Sequence, residues 1–158
     1  MTTRWGKVGW VGLALLLASL TTQATESPQA PRFETPREAV TWRRDELKEI
    51  ERLVRQLRFD LINNRDAQGA APRLAELAER TRGERLLPAF IEGSHGRGSD
   101  ARARIWDEWE AFGEGFEALE ARVADLTEAA EAEDYRQATR AFSELSLSCR
   151  SCHRRYKH

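Results

Sequence analysis

Four stretches of this chain place apolar residues at alternating intervals of three and four, the spacing of one face of an α-helix. The first runs from Pro36 to about Leu61, and its stripe is Val40, Arg43, Leu47, Ile50, Val54, Leu57 and Leu61. It opens on Thr35-Pro36-Arg37-Glu38: a threonine N-cap, proline at the first helical position and a glutamate placed to close a capping box. Asn63-Asn64 breaks it. A shorter stretch from about Pro72 to Thr81 puts Leu74, Leu77 and Ala78 on one side. Gly83 to Asp100 is a long connection, rich in glycine between Gly93 and Gly98. The third helix begins near Ala101 and carries Ile105, Trp109, Phe112, Phe116, Leu119, Val123, Leu126 and Ala130. Ala132 to Asp134 makes a turn, with Asp134 and Gln137 as a capping pair. The fourth stripe is Tyr135, Ala138, Phe142, Leu145, Cys149, Cys152 and Tyr156. Nothing reads as strand. The pattern predicts an all-α fold, an antiparallel four-helix bundle with shallow crossing angles.

One stripe position is out of character. Arg43 stands where the first helix should be apolar, and a buried, unpaired guanidinium would cost several kcal/mol. Either it reaches outward to solvent or it meets an anion in the core.

The chain has a one-domain length, 158 residues. Its start adds a processing signal. Arg4 and Lys7 precede a charge-free stretch from Val8 to Leu20, and Thr22-Gln23-Ala24 offers small residues to a signal peptidase. Residues 1–24 therefore read as a cleaved secretory signal peptide and 25–158 as the mature domain. The apolar run is short for a membrane span of about 20 residues; an uncleaved anchor is the alternative. The whole chain has 25 Lys and Arg against 26 Asp and Glu, and loss of Arg4 and Lys7 leaves 23 basic residues. The charges are interleaved, as on solvated helix faces. Nothing points to nucleic acid, and no membrane partner is expected after cleavage.

The chemistry sits in the last ten residues. Cys149-Arg150-Ser151-Cys152-His153 is a C-x-x-C-H motif, the attachment pattern of c-type haem, and these are the only two cysteines in the chain. Two thiols add across the haem vinyl groups, and the adjacent His153 becomes the axial ligand of the iron. Three other readings compete. A disulfide between cysteines three apart on a helix is strained and closes almost no loop. A thioredoxin-like pair needs a strand before it. A zinc site needs a fourth ligand, and only His95 and His158 remain. The haem reading fits secretion, because c-type haem is attached outside the cytoplasm, in a bacterium in the periplasm. Both cysteines fall on the core-facing stripe, so one covalently bound haem c is expected inside the bundle. Its propionates would supply the anion for Arg43, which pairs with carboxylates in bidentate fashion.

The far side of the iron has no obvious ligand. Electron carriers commonly use methionine there, and the only methionine is Met1. His158 lies on the same helix end as His153. His95 lies in the glycine-rich connection, where exposure is the ordinary state. The expectation is a five-coordinate, high-spin iron lined by Leu47 and Ile50, with Phe90 from the connection; the same leucine and isoleucine would serve as core in any bundle. Such a pocket holds no hydrogen-bond donor, which favours NO and CO over O₂ and disfavours charged ligands through desolvation. A six-coordinate, low-spin electron carrier of the same fold is the alternative. A peroxidase-like catalyst would need a distal acid–base pair, and none is visible on the first helix.

These residues resemble the cytochrome c′ family. The resemblance rests on Phe33-x-x-Pro36-x-x-Ala39-Val40-x-Trp42-Arg43-x-x-x-Leu47-x-x-Ile50, on Asp100-Ala101-Arg102 with Ile105-Trp106, on Phe112, Leu119, Val123 and Leu126, and on Cys149-x-x-Cys152-His153-x-x-Tyr156. It implies His153 as the sole axial protein ligand, Leu47 crowding the open distal face, and Arg43 near a propionate. It also implies NO and CO binding, a role in NO handling or electron transfer with an unnamed redox partner, and a homodimer formed through the first two helices. Leu53, off the main stripe, leaves room for such a contact. Tyr156 and Lys157 would flank the proximal side. Lys157 stands where the family usually has arginine, Trp42 replaces a usual tyrosine, and Gly83 to Phe90 departs from the usual proline–aromatic pattern.

Overall fold

Thr35 starts the first helix as its composition requires. Its Oγ1 accepts a hydrogen bond from the Glu38 amide at 3.2 Å, and the Glu38 carboxylate accepts from the Glu34 amide at 3.1 Å. Helix α1 runs Pro36–Leu57 in this computed structural model, which describes residues 30–158. The signal-peptide reading of residues 1–24 lies outside the described residues. A π-helical segment, Arg58–Asn64, continues α1 through the Asn63-Asn64 pair, and Arg65 ends it in the left-handed region at φ 55°.

Helix α2 is Ala67–Arg80, beginning five residues before the predicted start. Pro72 is an interior residue of α2, not its first. The true N-cap is Asp66, whose Oδ1 accepts from the Gly69 amide at 2.8 Å. The connection that follows is partly structured: a turn of helix, α3 (Gly83–Leu86), a 3₁₀ turn at Leu87–Ala89, and a one-turn α4 at Arg104–Asp107. The backbone breaks at Glu108 (φ −123°, ψ 39°) before α5, Trp109–Glu131. Glu133, at φ 52°, makes the last turn. Asp134 then caps α6, Tyr135–Tyr156, by accepting from the Arg136 and Gln137 amides at 3.1 and 2.9 Å.

Helices α1, α2, α5 and α6 form the four-helix bundle. Consecutive members pack side by side: α1 on α2, α2 on α5, α5 on α6. The π segment joins α1 to α6 at the end of the bundle that holds Leu61 and Ala138. There is no strand among the described residues, only one isolated antiparallel bridge between Ala101 and Lys157.

The apolar interior divides in two. The larger cluster joins Leu53, Leu57 and Leu61 to Leu74, Leu77, Val123, Leu126, Phe142 and Leu145, with Cys149 on its margin. The smaller joins Phe90, Ala101, Ile105, Phe112 and Tyr156, with Cys152 on its margin. The α5 and α6 seams follow the predicted stripes closely, except at Trp109, which is 44% exposed. Helix α1 differs more. Leu53 is fully buried, so it is not available for self-association, whereas Leu47 is 40% exposed and Ile50 and Val54 are only partly buried. At 100° per residue, the buried arc is turned about 50° from the predicted one. Two apolar arcs lie side by side on α1; the bundle interior takes one and leaves Leu47, Ile50 and Val54 on the other.

Candidate haem site

The C-x-x-C-H motif lies in the last two turns of α6, where Cys149 and Cys152 are half-buried and not disulfide-bonded. One thiol borders each apolar cluster, so the motif sits at the junction of the two. Burial pushes both thiols up from their ordinary range, with the neighbouring Cys149 adding to the effect at Cys152. They are neutral thiols at neutral pH, poor metal ligands and poor redox nucleophiles. This argues against the thioredoxin-like and zinc readings, as does the helical setting. No group of three or more His, Cys, Asp and Glu side chains converges to hold a bare metal ion among the described residues.

His153 is exposed in area, yet its ring is held below its ordinary pKa, first by desolvation and then by the Lys157 ammonium; Glu51 of α1 pulls the other way. An imidazole kept neutral has a lone pair to offer iron. Ile50 and Val54 of α1 pack against the same large cluster as Cys149, so this side of α1 lies near the motif. Leu47 and Val54 lie on the same side of α1 as Glu51, one turn before it and one turn after. The hydrocarbon arc that the bundle interior leaves partly uncovered therefore reaches the motif's side of the bundle through Ile50 and Val54.

Phe90 and Tyr156 meet in the smaller cluster through Phe112, whose ring centroid is 4.9 Å from Phe90 and 5.1 Å from Tyr156. Tyr156 is buried, and its hydroxyl makes no hydrogen bond of acceptable geometry, although Glu108 is close enough to affect its titration. An orphaned hydroxyl beside Cys152 is a polar atom without its partner. Lys157 follows α6 in extended conformation. Its amide donates to the His153 carbonyl at 2.9 Å, and its Nζ approaches Asp100 at 3.7 Å.

Arg43 is held by the connection between α2 and α5. It does not reach solvent, being 2% exposed. Its Nη1 donates to Ala89 O at 2.8 Å and Ser94 Oγ at 2.6 Å; its Nη2 donates to Ser99 Oγ at 2.6 Å and to Ser94 O. The guanidinium lies 4.7 Å from the Phe90 ring centroid. All four terminal N–H groups are engaged by the connection, leaving only Nε–H. The connection holds the whole fork in this arrangement. Burial lowers the Arg43 pKa to about 10, so it stays charged at neutral pH. Sequence reasoning missed Ser94 and Ser99, because acceptors in a non-periodic loop carry no signal. His95 is exposed, with its ring 5.1 Å from Trp106, whose Nε1 donates to Phe90 O at 3.0 Å.

Two thiols on one helix face, an adjacent neutral imidazole, a nearby hydrocarbon arc and an unsatisfied hydroxyl suit a haem attached by two thioethers. A shallow groove between α2 and α5, lined by Ala71, Ala75, Ala78, Thr127 and Ala130, offers neither thiol nor imidazole.

Comparison with known proteins agrees. The family model described as Cytochrome C′ matches residues 38–157. A cytochrome c′ of Alcaligenes xylosoxydans xylosoxydans is 32% identical over 71 residues, which is 45% of this chain and 56% of that protein. That match thus spans little more than half of the relative's length. The structure of a nitrosyl complex of a variant cytochrome c′ from Alcaligenes xylosoxidans superposes with a TM-score of 0.72 at 25% identity, covering 80% of this chain and all of that one. Cytochrome c′ from Shewanella frigidimarina superposes with a TM-score of 0.72 at 26% identity, covering 80% and 98%. The chain belongs to the cytochrome c′ family and is a c-type cytochrome whose cofactor is covalently bound haem c.

Proposed function

We propose that this protein is a periplasmic monohaem cytochrome with a five-coordinate, high-spin iron that binds NO and CO and exchanges single electrons. Cys149 and Cys152 hold the haem, and His153 is the one protein ligand to its iron. The observation that carries this reading is the partly covered α1 arc, whose Ile50 and Val54 pack against the same cluster as Cys149. It presents Leu47, Ile50 and Val54, and no methionine exists beyond Met1 to fill a sixth position. When bound, haem supplies an iron that takes a diatomic ligand and changes charge by one electron.

The chain's own residues set the selection. Leu47 and Ile50 crowd the open side with hydrocarbon and exclude water. The Glu51 carboxylate, paired with Arg55, offers acceptor oxygens and no donor. Bound O₂, which develops negative charge, finds no donor here, whereas NO and CO need none. The nitrosyl complex known for the Alcaligenes xylosoxidans variant supports the same chemistry in this chain. His95 packs beside Trp106 and is no part of the ligand set. The reading includes a homodimer formed through α1 and α2, which sedimentation of the mature protein would measure.

The test is the absorption spectrum of periplasmically matured protein, ferric and ferrous, before and after NO or CO. A high-spin spectrum that shifts with gas is expected. A low-spin spectrum indifferent to gas would overturn the proposal in favour of a six-coordinate electron carrier.

A further inference from the structure

Charge is unevenly distributed over this molecule. Residues 100–109 and 150–158 together carry six Lys and Arg against three Asp and Glu, whereas the other described residues carry 17 against 22. Three of those six cations, Arg104, Arg155 and Lys157, meet a carboxylate. Arg102, Arg150 and Arg154 meet none among the described residues, although Arg150 and Arg154 are exposed.

The fold draws these cations together. The Ala101–Lys157 bridge, with the Arg102 amide donating to Tyr156 O at 2.9 Å, fastens the connection to the end of α6. Arg102 Nη1 then donates to the Arg154 carbonyl at 3.2 Å, which sets one guanidinium on the backbone of another arginine. Arg150 and Arg154 lie one turn apart on α6, and Lys157 acts electrostatically on His153. Cations in the last turn complement a helix dipole, which accounts for Arg154. That account reaches neither Arg102, on a different segment, nor Arg150, more than a turn from the helix end. At the border of this face, Trp109 is 44% exposed beside the Arg155–Glu108–Arg104 chain. Arginine and tryptophan are the residues most enriched at protein-binding hot spots.

We propose that the face formed by Arg102, Arg150, Arg154 and Lys157, with Trp109 at its border, docks an acidic one-electron redox protein against the haem end of the bundle. This rests on the haem assignment above. In the docked pair the iron passes from ferrous to ferric as the partner's oxidised copper or haem centre gains that electron. The interleaved Asp100, Asp107 and Glu108 favour a protein over an anionic membrane: they can pair with cations in a protein interface, and a lipid surface would repel them.

The experiment compares the holoprotein with the double variant Arg102→Glu, Arg154→Glu and with a control, Glu114→Arg, Glu117→Arg, on the acidic outer face of α5. The first readout is binding of a synthetic glutamate-rich peptide at low and high salt. The second is the rate at which hexacyanoferrate(III), an anion, and a cationic cobalt(III) complex oxidise the ferrous protein. Wild type should bind the peptide in a salt-sensitive manner, and the double variant should lose binding. Its rate with the anionic oxidant should fall by about tenfold and its rate with the cationic one should rise, both effects vanishing in high salt. The control should keep wild-type peptide affinity. Equal peptide binding by wild type and double variant, or oxidant rates blind to charge, would overturn the proposal. So would binding of the wild type to phosphatidylglycerol vesicles without binding to the peptide. A CO-induced spectral shift retained in every variant separates these outcomes from failure of the haem reading, in which wild type itself would show none.

Discussion

Arg43 tests how the connection between α2 and α5 is held. Arg43→Met keeps length and apolar stem and removes the fork. Two carbonyls, Ala89 O and Ser94 O, then lose their donor in places where both residues are essentially inaccessible to water. Each orphaned acceptor costs about 1–3 kcal/mol. The hydroxyls of Ser94 and Ser99 can turn to other partners, and Met escapes the desolvation penalty of a buried cation. The net loss should be about 2–4 kcal/mol. With a urea dependence of about 2 kcal/mol per molar, the unfolding midpoint should fall by about 1–2 M. Arg43→Lys restores the charge and three donors but not the planar fork, so it should recover less than half of the loss. Hydrogen exchange locates the effect: the Ser94 and Ser99 amides, bonded to Ile91 O and Gly96 O, should lose protection in Arg43→Met before α5 and α6 do. A midpoint within about 0.3 M of wild type, with those amides still protected, would refute the view that this guanidinium fastens the connection.

The rotated seam of α1 separates two leucines. Leu53→Ala should destabilise the protein by about 2–5 kcal/mol as a core truncation, whereas Leu47→Ala should cost under about 1.5 kcal/mol and speed CO binding, as urea titration and flash photolysis would show. His153→Ala should leave haem covalently attached, visible on a haem-stained denaturing gel, while changing the ferric spectrum; an unaltered spectrum would remove His153 from the iron. The Glu108 carboxyl is held below its ordinary range, first by its hydrogen bond from Arg155. A depressed folded-state pKa contributes stability present above the unfolded value, about 4.5, and lost as pH falls through the folded value. The difference in Tm between wild type and Glu108→Gln should be present at pH 7 and disappear as pH falls below 4.5 through the lowered folded-state value.

Much of this was legible in the chain. The α5 and α6 stripes, the Thr35 and Asp134 caps and the C-x-x-C-H motif each carry a local signal that tertiary structure left standing. The misses share a different origin. Asp66 closes a run of four polar residues after Ile62, so its capping role was masked, and Pro72 looked like a start. The helical period counted from Ile105 to Trp109 is interrupted by the break at Glu108, which turns Trp109 outward. On α1 the residues supply more apolar positions than one face can bury, and periodicity cannot say which arc the interior takes. Arg43 was flagged as anomalous from its place in the stripe, but its acceptors lie 46 to 56 residues away in a segment without period.

The division of the interior into two clusters, with one cysteine on the margin of each, bears on cooperativity. Two separate apolar clusters can open separately, as distinct units with their own free energies. A group bonded to both Cys149 and Cys152 spans that boundary, so neither unit opens without exposing a face of the same hydrophobic plate. The tether also survives unfolding. On refolding, in the proposed site, the plate meets Leu47, Phe90 and His153 at intramolecular effective concentration rather than by diffusion. Attachment therefore does more than retain a cofactor: it merges two local equilibria into one, and sets how much of the chain must unfold at a time.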